Sequence, residues 1–128
     1  MGCGGYHFIV AVVDGVYAAG LNNYGQLGIG STDDSSTLQA VQGIDDQQMV
    51  SLAAGQHFSL ALASGGAVWA WGRGDSGQLG LVDKPPDFYM ETKPKQVELG
   101  TGTAPVKAIS CGSNHCLVLT RDNEIFTW

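Results

Sequence analysis

Two Cys-x-x-x-His strings stand at Cys3/His7 and Cys111/His115. Thiolate and imidazole are the donors a tetrahedral zinc site takes, but such a site needs four of them around one centre. The two strings fall at corresponding points of a repeated pattern, which puts them on different structural units. They therefore read as small or polar residues within strands. Ser59, Ser64 and Ser110 lack the Gly-x-Ser-x-Gly setting of an activated nucleophile. Asp33, Asp34, Asp45 and Asp46 have no basic or metal-ligating neighbour in sequence and read as solvated loop acids. The run Gly72-Arg73-Gly74-Asp75-Ser76-Gly77 is rich in glycine but lacks the Lys-Ser/Thr of a phosphate loop. No catalytic, cofactor-binding or metal residue is expected.

The remaining chemistry is thiol chemistry and aromatic contact. Cys3, Cys111 and Cys116 make an odd count, which points to reduced thiols in an intracellular setting, cytoplasm or nucleus. Cys111 and Cys116 are a candidate pair, although a disulfide framework is not expected. Met1-Gly2-Cys3 begins like an acylation signal, but Tyr6 occupies the place where that motif wants Ser or Thr. Between Val82 and Glu98 runs a long loop carrying Pro86, Phe88, Tyr89 and Met90. Aromatics beside a stiff Pro-Pro pair make a candidate protein-binding tip, because aromatic side chains dominate interaction hot spots.

Composition bounds the scaffold that must position these groups. The 128 residues suit about one domain. Hydrophobic residues are 44% and charged residues 14%, enough to bury a core. Glycine, 19 of 128, is roughly double ordinary usage, and no Gly-X-Y period accompanies it. A net charge of −6 argues against a nucleic-acid partner. No apolar run reaches the ~20 residues of a membrane-spanning helix. Neither a membrane nor a small-molecule substrate is expected as a partner.

The glycines mark an internal repeat. The segments beginning at Gly5, Gly55 and Gly112 match, the last two 57 residues apart, with Trp71 over Trp128. A second block, Gly20-Leu21-Asn22-Asn23-Tyr24-Gly25-Gln26-Leu27-Gly28, matches Gly72-Arg73-Gly74-Asp75-Ser76-Gly77-Gln78-Leu79-Gly80. Phe58–Leu62 has apolar residues on both faces, the mark of a strand covered from both sides. Residues 4–12 read as its first copy. A turn follows at Asp14-Gly15, Ser64-Gly65-Gly66 or Arg121-Asp122-Asn123. The return strand carries Trp69 and Trp71 on one face. Asn22 and Gly74 are read as left-handed positions, and Leu27 and Leu79 as apolar plugs of their turns. An alternative register lays Cys3-Gly4-Gly5-Tyr6-His7 over Cys111-Gly112-Ser113-Asn114-His115. The Gly5–Gly55 match is preferred, because Gly-x-His-Phe-x-x-Ala recurs in both copies. Strand count and period suit four-stranded propeller blades.

At these residues the chain resembles the regulator-of-chromosome-condensation repeats. Gly20, Asn22, Gly25, Gln26, Leu27 and Gly28 carry that family's signature. So do Gly55, Trp69, Trp71, Gly72, Gly77, Gln78, Leu79 and Gly80, and then Gly112 and Trp128. The resemblance implies an all-β fold of four-stranded antiparallel blades, seven in a complete propeller. It divides the chain into residues 1–54, then 55–111 with the longer 82–98 loop, then 112–128. Such a span cannot close a ring. The expectation is a piece of a longer protein, an incomplete gene model or a chain that associates with copies of itself. A chromophore-type tryptophan directly after the strand-opening glycine is absent, since Tyr6, Gln56 and Ser113 stand there. The implied role is a non-catalytic protein-binding scaffold. The alternatives are guanine-nucleotide exchange on a Ran-like small GTPase, or a regulatory propeller of a larger ubiquitin ligase.

Overall fold

The computed structural model describes residues 2–44, 48–82, 85–100 and 102–128; Asp45, Asp46 and Lys84 lie outside them. Among the described residues every regular element is a β-strand. β1 (Gly2–Cys3), β2 (His7–Val12), β3 (Gly15–Gly20) and β4 (Ser35–Ala40) form one antiparallel sheet in chain order. β5 (Met49–Ala54), β6 (Phe58–Ala63), β7 (Val68–Arg73) and β8 (Met90–Gln96) form a second. β9 (Val106–Cys111), β10 (Cys116–Thr120) and β11 (Ile125–Thr127) form a third, of three strands.

The sheets stack face to face, as the alternation of side chains requires. Ile9, Val16, Ala18 and Leu27 of the first meet Ala61 and Trp71 of the second. On the other side, Phe58, Leu60, Leu62, Val68 and Ala70 meet Cys116 and Val118 of the third. β6 is therefore buried along its whole length, as its two-sided apolar pattern predicts. The outer strand β8 is held apart from further pairing by its own sequence. Pro94 removes a donor, and exposed Lys93 and Lys95 flank it. β8 also takes up much of the span read above as the 82–98 loop.

Two local readings need correction. Gly4, Gly55 and Gly112 each donate their N–H to the carbonyl three residues on, in His7, Phe58 and His115. These are the equivalent glycines, so His7 lies over Phe58 and the preferred Gly5–Gly55 register is one residue out. The first strand accordingly opens at His7, not at residue 4. What fixes the register is ring packing. The ring of His7, Phe58 or His115 fills the space that a side chain on Gly4, Gly55 or Gly112 would need. The recurring Gly-x-His-Phe string is incidental.

Asn22 and Gly74 are not left-handed; among the described residues Phe88 and Asn123 are the positive-φ residues other than glycine. Asn22 is fully buried because its side chain organises its loop. It donates to the carbonyls of Ser31 and Asp33 and accepts from the Leu27 N–H, each at 2.9 Å. Gly74 is small because the Tyr89 ring lies where a Cβ would be, 2.6 Å away.

The two outer turns of the second signature block separate backbone strain from crowding. Gly77 and Gly80 both have positive φ, 79° and 67°. A Cβ on Gly77 meets nothing within 4 Å, whereas one on Gly80 falls 2.7 Å from the Trp128 ring. Gly77→Ala is expected to cost ~1–2 kcal/mol from left-handed strain alone. Gly80→Ala is expected to cost at least ~1 kcal/mol more through overpacking, read as the difference in urea midpoints. Equal midpoints would contradict this packing.

Candidate functional site

The glycine-rich turn after the third strand of each blade does two jobs. Its side chain folds back on the turn: Gln26 Oε1 accepts from the Tyr24 N–H at 2.9 Å, and Gln78 Oε1 from the Ser76 N–H at 2.8 Å. Its main-chain carbonyl is left for the next blade. Gln26 O accepts the Trp71 indole N–H and the Ser59 hydroxyl, both at 2.8 Å. Gln78 O accepts the Trp128 indole N–H at 2.9 Å and the Cys116 thiol at 3.3 Å. Gly28 and Gly80 admit the indoles, since a Cβ on either falls 2.9 Å from the indole nitrogen. The signature residues thus form an inter-blade latch. Trp69 shares the face of Trp71 but carries no such bond; its buried indole nitrogen has no partner.

His7 extends the first latch. Its Nε2 lies 2.8 Å from Ser59 Oγ, whose proton goes to Gln26 O, so Nε2–H is the donor. Burial, with His57 nearby, pushes its pKa down to about 4. This nitrogen is spent on the fold. Among the described residues no group of three or more metal-ligating side chains converges.

The strand ends that carry the latch also carry the exposed features. Tyr89 N–H donates to the Pro86 carbonyl at 3.2 Å, closing a tight turn. Phe88 sits in that turn at φ 62° and is 82% exposed. An aromatic residue in the left-handed region is strained by about 1–3 kcal/mol, and such strain clusters at binding sites. Of the other loop candidates, Pro86 is exposed, while Tyr89 and Met90 are half-buried. Tyr89 packs on Gly74 and donates its hydroxyl to Glu91 at 2.8 Å. Burial and that bond push its pKa up to about 12. It braces the turn, and Met90 begins β8. The structure thus leaves Phe88 and Pro86 outward and turns Tyr89 inward.

On the same side of the sheets is a stack that the sequence did not announce. The Tyr6 and His57 rings stack at 5.1 Å, Tyr24 tilts against His57 at 4.9 Å, and the Arg73 guanidinium covers Tyr24 at 4.8 Å. Arg73 is held by Asp75 at 2.7 Å. Burial and the Arg73 charge lower the His57 pKa. Tyr6, Tyr24 and His57 come from separate loops and Arg73 ends β7, and only the blade stacking brings them together. Tyr6 is half exposed.

Blades of this form, joined by a carbonyl latch, define a β-propeller segment. The Regulator of chromosome condensation (RCC1) repeat matches residues 14–62 and 65–119, and a second form of it residues 49–78. The chain belongs to this family. It is 37% identical over 128 residues to the human Probable E3 ubiquitin-protein ligase HERC3, covering 98% of this chain and 12% of that protein. It is 36% identical to the dog X-linked retinitis pigmentosa GTPase regulator, covering all of this chain and 12% of that protein. Human WBSCR16 superimposes with a TM-score of 0.85 at 24% identity, over 98% of this chain and 31% of that one. Prp20p of Saccharomyces cerevisiae, studied for its binding to Gsp1p and histones, gives 0.84 at 23% identity, over 98% of this chain and 32% of that one. The chain therefore spans a small part of the relatives it matches.

The neutral state of His7 makes the latch sensitive to pH. An unfolded histidine takes up its proton near 6.5, the folded one only near 4. As pH falls from about 6.5 towards 4, the unfolded chain gains a proton that the fold refuses, so stability is lost in that window. Between pH 7 and pH 5 the loss assigned to His7 is about 2 kcal/mol. His7→Gln, which keeps a donor to Ser59, is expected to lose less over that interval in urea titrations. An identical loss in both proteins would remove His7 as the cause.

Proposed function

We propose that this chain is part of a non-catalytic propeller scaffold that binds another protein through the face bearing Phe88. The observation that carries this reading is the Phe88 turn, an aromatic side chain presented to solvent by a backbone conformation that costs energy. Tyr89 and Gly74 hold the turn in place, so the aromatic is offered already ordered, which lowers the entropy lost on binding. The half-exposed Tyr6 and the Arg73–Tyr24 pair on the same side add residue types common at hot spots. The partner would be an intracellular protein with an apolar pocket for one aromatic ring. No membrane, nucleic acid or small-molecule substrate enters this reading.

Guanine-nucleotide exchange is the second reading. It is favoured by the likeness of fold to Prp20p, which was studied for binding to Gsp1p. A regulatory role within a ubiquitin ligase rests on similarity to HERC3 across a small part of that protein.

Phe88→Ala should leave near-ultraviolet circular dichroism unchanged and weaken the affinity of a protein partner by about thirtyfold or more, as loss of a hot-spot aromatic does. Partners retained at full affinity would contradict the docking role. In parallel, labelled GDP release from a panel of small GTPases should not accelerate on adding the protein. Acceleration would move the assignment to exchange.

A further inference from the structure

The chemistry left over by the fold is at Cys111 and Cys116. They end β9 and begin β10 and stand directly opposite one another in the ladder. Cys116 spends both its N–H and its carbonyl on Trp128, in bonds of 2.8 and 3.2 Å. The pair with Cys111 is therefore a non-hydrogen-bonded one, the kind in which facing Cα atoms come to about 4.5 Å and side chains lie closest. That spacing falls within the range a disulfide bridges. The two sulfurs already lie 3.7 Å apart. Cys116 is fully buried, but Cys111 is half-buried and opens on a cleft of about 340 Å³, bordered by the strand-opening turns at Gly4, Gly55 and Gly112.

We propose that Cys111 and Cys116 form a reversible disulfide across β9 and β10 when hydrogen peroxide enters that cleft. The Cys111 sulfur, as thiolate, attacks one peroxide oxygen. An S–O bond forms, the O–O bond breaks, and the leaving hydroxide takes up the proton the Cys111 thiol gave up and departs as water, giving a sulfenic acid. The Cys116 sulfur then attacks the Cys111 sulfur and gives up its proton, and the hydroxyl leaves as a second water. Two thiols are oxidised by two electrons and one peroxide is reduced to two waters. A dithiol reductant reverses the bond. Cys116 stays a thiol until the second step, because the neighbouring Cys111 and burial both push its pKa up.

The bond reaches the latch. The Cys116 thiol is one of two donors to Gln78 O, and a disulfide has no S–H to donate. Oxidation leaves that carbonyl with the Trp128 indole alone and weakens the junction between the second and third sheets. This inference is independent of the docking role.

Both cysteines lie on one tryptic peptide, between Lys107 and Arg121. The protein is treated with equimolar hydrogen peroxide, alkylated under denaturing conditions, digested and weighed. The expected product is that peptide lighter by two hydrogens and carrying no alkyl group, with Cys3 fully alkylated. Dithiothreitol should restore two alkylatable thiols. The Trp128 indole N–H resonance should shift on oxidation and return on reduction. Cys3→Ser should behave as the unchanged protein, and Cys111→Ser should give no disulfide. A Cys3-linked product, a sulfinic acid on Cys111 with Cys116 still alkylatable, or an unchanged mass would each overturn the proposal. The unaltered protein decides these outcomes even if a variant misfolds.

Discussion

A single main-chain carbonyl, repeated, ties one sheet to the next. Gln26 O and Gln78 O each receive an indole N–H and a second donor from the following blade. A buried carbonyl without partners would cost roughly 1–3 kcal/mol, so the blades are held in one relative position by the need to satisfy it. Apolar packing between sheets is larger in sum but not directional. The latch supplies direction. It also explains why the signature needs glycine at Gly28 and Gly80, where the indole leaves no room for a Cβ.

The family repeat and the sheet are out of phase, and the latch shows what that achieves. The matched unit 14–62 runs from β3 and β4 of the first sheet into β5 and β6 of the second. The unit 65–119 likewise begins at β7 and ends in β10. Each repeat thus brings its own inter-blade junction, with Gln26 and Ser59 both inside the first unit. Trp71 then closes that junction from the second. Neighbouring repeats depend on one another, as stacked repeat units generally do. The same arrangement gathers loops from different repeats on one side of the sheets, where Phe88 and the Tyr6–His57–Tyr24–Arg73 stack lie.

Much of this was legible in the residues. Two-sided apolar character located β6, the Trp-x-Trp spacing located β7, and the repeated Gly-Gln-Leu-Gly located the turns. The first-strand register was not legible, because Gly5-Tyr6-His7-Phe8 imitates Gly55-Gln56-His57-Phe58 while the ring that packs on the turn glycine is His7. Asn22 misled for a similar reason. Asn suits a left-handed backbone, but it suits a buried loop organiser equally well, and residue type alone does not separate the two. Within the candidate loop, the residues facing inward and outward were not sorted. That division depends on Gly74, distant in sequence, leaving room for Tyr89. The aromatic stack carried no local signal at all.

The latch is tested most directly at the Trp71 indole proton, by hydrogen exchange in nuclear magnetic resonance spectra. If the Gln26 carbonyl holds this proton between the blades, it exchanges as slowly as the amides of β6, opening only when the sheets part. An indole proton at Trp71 that exchanged within the dead time of the experiment, while β6 amides stayed protected, would mean that the blades are joined by something else.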